Sequence, residues 1–390
     1  MINTLKDLNL KNKKTFVRVD FNVPIKDGDI TDDTRIREAL KTIKYVVNNG
    51  GYATLATHLG RPKGEKNLKY TVKPIVDYIN SKGYFKAVFV DDCIGEKVTE
   101  ALKNQRQDTV LILENLRFYP GEEKNDAEFS KNLAAPFEAY INYAFGTSHR
   151  KHVSVYGIPS LMKEKAAGFL LEKEAAYFDR LLQAPDRPFA AILGGAKVSD
   201  KIGVIESLLE RANYILIGGA MAYTFLKYQG IDIGKSLAED ESLITVDTIL
   251  KKAVEKGVGI ALPVDHIVSS EFGGEPEVCG AQSIPSDKMG LDIGAQTIGA
   301  YKSILSKCKT VLWNGPMGVF ERPAFAAGTF AIARYLADLK ATVVVGGGDS
   351  VAAVNQAGIA DKISHISTGG GASLEYLEYG SLPGIDILRK

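Results

Sequence analysis

Short apolar runs recur along the chain, each closing abruptly in polar or glycine-rich sequence, with helically spaced apolar positions between them. Lys14–Val19, Tyr52–Thr57, the apolar part of Asp108–Phe118 and Ala139–Tyr143 read as strands in the first half. Phe189–Leu193, Tyr214–Ile217, Thr342–Val345 and His365–Ser367 read as strands in the second. Between the first two strands, Ile36, Ala39, Leu40, Ile43, Val46 and Val47 fall on one face of a helix capped near Thr31 and ended by Gly50-Gly51. Strands that alternate with helices in this way, at intervals of roughly 25–40 residues, form βαβ units and hence parallel sheets.

The residues just after the strands differ between the halves. In the first, Asp20, Asn22 and Arg35 come after one strand, His58 and Arg61 after the next, Arg117 after the third, and His149 and Arg150 after the fourth. Open parallel sheets bind ligands just beyond the carboxyl ends of their strands, so this basic set predicts a pocket for a strongly anionic molecule. In the second half the strands run instead into Gly194-Gly195-Ala196-Lys197, Gly218-Gly219-Ala220, Gly346-Gly347-Gly348-Asp349 and Thr368-Gly369-Gly370-Gly371. Glycine there lets a phosphate reach bare N–H groups at a helix start. Two anionic ligands, one per half, meeting between two lobes is the simplest expectation.

The 390 residues are more than one ordinary core accommodates. Lys165–Leu182, rich in Ala, Leu, Glu and Lys and closed by Pro185 and Pro188, predicts a helical boundary suited to hinge motion. A net charge of +1 gives no global field for nucleic acid, so the local cations favour a small anion. Three dispersed cysteines with no Cys-x-x-Cys pair argue against a disulfide framework or a cysteine zinc site. No signal-like start or membrane-length apolar run appears, so no membrane partner and a cytoplasmic location are expected.

Three phosphate motifs fall short. Gly230–Ser236 is one residue too short for a P-loop and comes after a helical pattern. Gly346–Val351 and Gly369–Leu374 place a bulky residue where a dinucleotide fingerprint needs its third glycine. Lys197 and Lys201, four apart in what reads as the first turns of one helix, share a face and repel by roughly 0.2–0.5 kcal/mol. An anion held by both accounts for that cost, whereas two solvated lysines offset by Asp200 and Glu206 leave it unexplained. Arg35 either serves the anion or pairs with Asp32 or Asp33. Asp349 reads either as the cap of the next helix or as a magnesium ligand beside substrate phosphates. Trp313 reads as core; Asn314 and Glu321 come after a strand end.

With these residues in view, the chain closely resembles the phosphoglycerate kinase family over nearly its whole length. Arg18–Pro24, His58–Pro62, Leu113–Phe118 and Ala144–Arg150 are similar to its amino-terminal motifs. Gly194–Lys201, Trp313–Glu321, Gly346–Asp349 and Ser367–Ser373 are similar to its carboxyl-terminal ones. The resemblance implies reversible phosphoryl transfer between ATP and 3-phosphoglycerate, in two doubly wound parallel-sheet α/β domains facing each other across a hinged cleft. It implies a phosphoglycerate domain at 1–168, a connecting helix at 169–182, a nucleotide domain at 183–372, and a tail at 373–390 packing back on the first.

By motif position, Asp20, Asn22, Arg35, His58, Arg61, Arg117, His149 and Arg150 would hold phosphoglycerate. Lys197, Lys201, Gly219, Asn314, Glu321, Gly346, Gly347, Gly348, Asp349 and Ser350 would hold the nucleotide, joined by Gly290 and Leu291 of Met289–Gly294. Asp349 would take Mg2+, and Arg35, Lys197, Gly370 and Gly371 would stabilise the transferred group. A monomer is expected. Tyr143 departs from the family, which usually has Asp there; Ala220 and Ser350 stand for a common glycine and threonine. A two-lobed binder without catalysis, or a silent relative, are the competing expectations.

Overall fold

The computed structural model describes residues 2–390, and the chain divides into two compact units, Met1–Ala176 with Ser381–Lys390, and Tyr177–Gly380. The division falls inside the helix Phe169–Gln183.

The first unit is built on a six-stranded sheet whose strands lie in the order Lys86–Val90, Thr109–Leu113, Tyr52–Ala56, Lys14–Arg18, Ala139–Asn142 and Lys165–Ala167. All pairings are parallel. Consecutive residues of the inner strands are buried, so both faces of the sheet are covered and alternation is lost. The chain starts at Lys14–Arg18, builds three strands to one side, then crosses to the other for the last two. The direction of winding therefore reverses at Lys14–Arg18, where Arg18 registers with Ala56 on one side and Asn142 on the other. Such a reversal opens a crevice beyond the carboxyl ends of the flanking strands.

Two expectations need correction here. Lys165–Leu182 is not one helix: Lys165–Ala167 is an edge strand beside Tyr140–Asn142, and the helix begins at Phe169. Burial of Ala166 and Ala167 at the sheet edge overrides the helical preference of those residues. The first helix, Thr34–Asn48, has Asp33 rather than Thr31 at its cap position. Asp33 makes no cap bond; its carboxylate instead accepts hydrogen bonds from Arg37, Tyr78 and Tyr84.

The second unit carries another six-stranded parallel sheet, in the order Gly259–Ala261, Tyr214–Ile217, Phe189–Leu193, Thr310–Asn314, Thr342–Gly346 and His365–Ile366. Winding reverses between Phe189–Leu193 and Thr310–Asn314, with Leu193 opposite Asn314. This is the strand order of dinucleotide-binding sheets, reached without their glycine fingerprint. Trp313 lies inside its strand, fully buried, with its indole N–H donating to the Gly315 carbonyl at 2.8 Å. A three-stranded antiparallel sheet, Glu277–Cys279, His266–Ser269 and Met289–Ile293, stands apart from the main one. It has no clear signal in the sequence, because four consecutive positions of Met289–Ile293 are buried and hide the two-residue period.

Residues Ser381–Lys390 pack within the first unit. Gly384 donates its N–H to Ser148 at 2.8 Å, Asn3 donates to Leu388 at 2.9 Å, and Ile385 and Leu388 are fully buried. Among the described residues no helix is long and apolar enough to cross a membrane. Truncating a fully buried leucine removes its transfer energy and leaves a cavity, so Leu388→Ala should lower stability by about 2–5 kcal/mol. Chemical denaturation followed by far-ultraviolet circular dichroism checks this; an unchanged midpoint would mean that the final segment adds nothing to the first core.

Candidate functional site

Each unit places a distinct chemistry beyond its strand ends. In the first, Asp20 comes after the central strand, and Arg35 in the first turn of Thr34–Asn48 reaches it with Nη1 at 2.5 Å. The pairing is therefore with Asp20, not with Asp32 or Asp33. His58 Nδ1 lies 3.9 Å from the other oxygen of Asp20. Asn22 accepts the Gly60 N–H at 2.9 Å, and Arg117 donates to the Gly60 carbonyl at 2.9 Å, so both converge on the loop after Tyr52–Ala56. Arg61 is next to Gly60 in the chain and is exposed. Arg150 donates to His149 Nε2 at 3.1 Å. Asp20, Arg35 and His58 thus form one group, Asn22 and Arg117 meet at the Gly60 loop that Arg61 follows, and His149 and Arg150 pair with each other.

Sequence reasoning gave no role to a layer beneath them. Arg18, His152, Glu122 and Ser154 are all buried. Burial, then the charges of Arg117, Arg18 and Arg150, push the His152 pKa down to about 3. Burial also lowers the pKa of the Arg117 guanidinium, against the pull of Glu123 at 3.2 Å. The available signal was an arginine inside a predicted strand, flanked by Val17 and Val19. Tyr143 lies apart from this layer, in the apolar core with Val17, Val19 and Ile141, 3% exposed, with its hydroxyl buried and unbonded. Burial and the nearby Glu38, Glu174 and Asp20 carboxylates raise its pKa, so it carries no charge at neutral pH.

In the second unit the loops after three adjacent strands touch backbone to backbone. A Cβ on Gly194 would lie 1.9 Å from the Pro316 carbonyl oxygen, and one on Gly219, whose φ is +66°, would lie 2.6 Å from Gly195 N. Only glycine permits this approach. Two cavities open around the contact. One, of about 450 Å³, is lined by Gly219, Ala220, Tyr223, Gly290, Leu291, Val319 and Glu321. The other, of about 390 Å³, is lined by Lys197, Lys201, Asn314, Gly347, Gly348, Ser350, Gly370 and Gly371. Asp349 lines both, while Gly346, the last residue of its strand, lines neither. Ser350 is fully buried and its hydroxyl accepts the Gly315 N–H at 2.5 Å.

Lys197 and Lys201 do not share a helical face. Residues 194–198 are irregular, a short 3-10 turn spans Ser199–Lys201, and the α-helix begins at Ile202. Glu239 holds this turn by accepting from the Ser199 N–H at 3.0 Å and its hydroxyl at 2.6 Å. Lys197 is exposed, whereas Lys201 is buried with its ammonium bonded to Asn314 Oδ1. An ammonium only donates, so Asn314 turns Nδ2 the other way, and that amide nitrogen is buried without a partner. A buried, unpaired donor beside the start of Gly348–Gln356 suits an anion.

Asp349 is not the cap of that helix; Gly347 is, and Asp349 is left exposed in the first turn. Among the described residues no cluster of three His, Cys, Asp or Glu side chains could hold a metal alone. A cation here would therefore need ligand oxygens beside Asp349, which suits magnesium carried with phosphates.

Comparison with known proteins adds a second line. The family described as phosphoglycerate kinase matches residues 5–379. Proteins of that name from Borrelia hermsii (strain HS1 / DAH) and Prochlorococcus marinus (strain MIT 9515) are 49% and 50% identical to this chain. Those alignments cover all of this chain and 100% and 98% of the two relatives. The solved structure of phosphoglycerate kinase from Coxiella burnetii superposes with a TM-score of 0.91 at 37% identity, covering 100% of this chain and 99% of that one. The crystal structure of the Pyrococcus horikoshii OT3 enzyme gives 0.80 at 34%, covering 99% and 98%.

The buried groups lead to two stability outcomes. Burial lowers the Lys201 pKa from 10.5 to about 8, so the folded state binds fewer protons than the unfolded chain between those values. The cost is present in full below pH 8 and gone above 10.5, so parent stability gains as pH rises through that window. Lys201→Met should be the more stable protein near pH 7, by on the order of 2–3 kcal/mol before the lost Asn314 bond is subtracted. Urea denaturation should show this gap closing toward pH 10.5; a gap independent of pH would contradict a buried ammonium. Tyr143→Phe deletes an unbonded hydroxyl and should raise stability by about 1 kcal/mol without changing turnover. A thermal melt that moves down instead would show that the hydroxyl has a partner.

Proposed function

The chain belongs to the phosphoglycerate kinase family, and from that premise we propose that it moves a phosphoryl group reversibly between ATP and 3-phosphoglycerate, giving ADP and 1,3-bisphosphoglycerate. The observation that carries this reading is the contrast between the two sets of strand ends. One gathers guanidinium and imidazole groups around Asp20 and Gly60; the other offers glycine helix starts, a buried ammonium and an unpaired amide donor. A binder of a single anion leaves the second set without a use.

In this reading phosphoglycerate lies against Asp20, Asn22, Arg35, His58, Arg61, Arg117, His149 and Arg150. The apolar cavity takes the base, with Gly219, Gly290, Leu291 and Glu321 at its walls. The polar cavity takes the phosphates, held by Lys197, Lys201, Asn314, Gly347 and Gly348. Asp349, which borders both cavities, would hold the magnesium ion that accompanies the nucleotide and screens its phosphate charge.

The substrate carboxylate is already ionised at neutral pH, so no general base is required. One of its oxygens bonds to the γ-phosphorus as the bond to the β–γ bridging oxygen breaks in line, and ADP leaves with that electron pair. Catalysis then rests on positioning and on cations aimed at the transferred group. Arg35 and Lys197 take that charge role, and Gly370 and Gly371 open a helix whose first N–H groups have no intrahelical partner. Ligands held on separate units must be brought together, so closure about the Phe169–Gln183 region with expulsion of water belongs to the same proposal.

A dehydrogenase-coupled assay tests the reaction directly: turnover should require ATP, magnesium and 3-phosphoglycerate together. Lys197→Ala should lower kcat by roughly 100- to 1,000-fold while changing phosphoglycerate affinity little, as when one preorganised donor to a developing charge is lost. Full activity in that variant would remove Lys197 from the charge role. Turnover with any one component omitted would overturn the reaction itself.

A further inference from the structure

The buried side of the basic cluster contains a polar chain that the roles above do not use. Arg18 ends the central strand and is 1% exposed. Its Nε donates to Ser154 Oγ at 2.8 Å, one terminal nitrogen donates to the Val19 carbonyl, and Nη2 stands 3.2 Å from His58 Nδ1. Glu122, also 1% exposed, accepts from the Ser154 N–H at 3.0 Å and from its hydroxyl, so a carboxylate balances the guanidinium through one serine.

A guanidinium can donate hydrogen bonds but never accept them. His58 Nδ1, facing Nη2, must therefore present its lone pair, which leaves the ring neutral with its proton on Nε2. Among the described residues no protein group bonds to Nε2. We propose that Arg18 is a positioning residue that locks His58 in the neutral Nε2–H tautomer, giving the anionic substrate a donor that adds no pH-dependent charge. The substrate half of this statement rests on the phosphoglycerate reading; the tautomer does not.

The groups around the ring agree. Burial first, then the charges of Arg18 on the central strand, Arg117 after Thr109–Leu113 and Arg35 on the first helix, hold the His58 pKa well below its ordinary value, while the neighbouring His152 ring is itself neutral at pH 7. Asp20, 3.9 Å from Nδ1, is the opposing charge, and it is already paired with Arg35. A proton on Nδ1 would set two donors face to face inside the protein.

Long-range 1H–15N correlation spectra of the full chain, labelled at histidine and without ligand, read the tautomer directly. The His58 signals among the five histidines are assigned by their absence in His58→Gln. At pH 7 they should show a bare Nδ1 and a protonated Nε2; an Nδ1–H tautomer or an imidazolium would overturn the proposal. In Arg18→Met the lock is gone and His58 should titrate nearer its usual range. The variant-to-parent ratio of KM for 3-phosphoglycerate should then rise about threefold between about pH 5.5 and 7.5, with the ratio for ATP flat. Arg18→Lys, which keeps a donor toward Nδ1, should restore the flat ratio. If Arg18→Met fails to fold, the parent spectrum still decides. The expected tautomer, with His58 signals that do not move on adding 3-phosphoglycerate, would refute the substrate role while leaving the Arg18 lock standing.

Discussion

Like charges repel, and the first unit gathers Arg18, Arg35, Arg117 and Arg150 at and beyond the carboxyl ends of neighbouring strands, beside three histidines whose pKa values are all lowered. Such a cluster persists only where the backbone holds it and where countercharges are built in. The parallel register supplies the first condition, since Arg18 is fixed between Ala56 and Asn142. Asp20 beside Arg35, Glu123 beside Arg117 and Glu122 beneath Arg18 supply the second. A buried guanidinium stripped of those partners would be strongly destabilising, so the cluster and the sheet are one structural commitment.

The second unit instead sets two lysines, Lys197 and Lys201, among glycine loops. Its loops press backbone against backbone at Gly194, Gly219 and Gly315, whose own N–H groups are used within the loops, donating to the Asn314 and Met317 carbonyls and the Ser350 hydroxyl. Asn314 divides its amide, one end engaged by Lys201 and the other left as an unpaired donor. A preorganised dipole of this kind acts without reorganising when charge arrives.

The eight strands read from the sequence were legible because buried apolar runs of that length, bounded by glycine or charge, have few other readings; Phe189–Leu193 and Tyr214–Ile217 match residue for residue, whereas the sheet strands Lys86–Val90 and Gly259–Ala261 were not read. The antiparallel strand Met289–Ile293 was not, since burial on both faces removes the alternation that would mark it. Lys165–Ala167 misled because its composition favours a helix while the sheet edge favours a strand. At the site, residue types just after strand ends were informative, but their pairings were not. Arg35 passed over Asp32 and Asp33, which are close in sequence, for Asp20 across the crevice. Local spacing likewise placed Lys201 beside Lys197, whereas burial turned it toward Asn314. Arg18 was hidden inside a strand, where position in the pattern says buried and chemistry says charged.

The placement of Ser381–Lys390 in the first unit bears on how the molecule is made. All of Tyr177–Gly380 is synthesised between the bulk of the first unit and the segment that carries Ile385 and Leu388 into its core. On a translating ribosome, the second sheet can complete while the first still lacks its last buried residues, even though the first was begun earlier. Domains generally fold in order of emergence; here that order is broken for the unit that gathers the charge, whose core lacks its last buried residues until Ser381–Lys390 has been made.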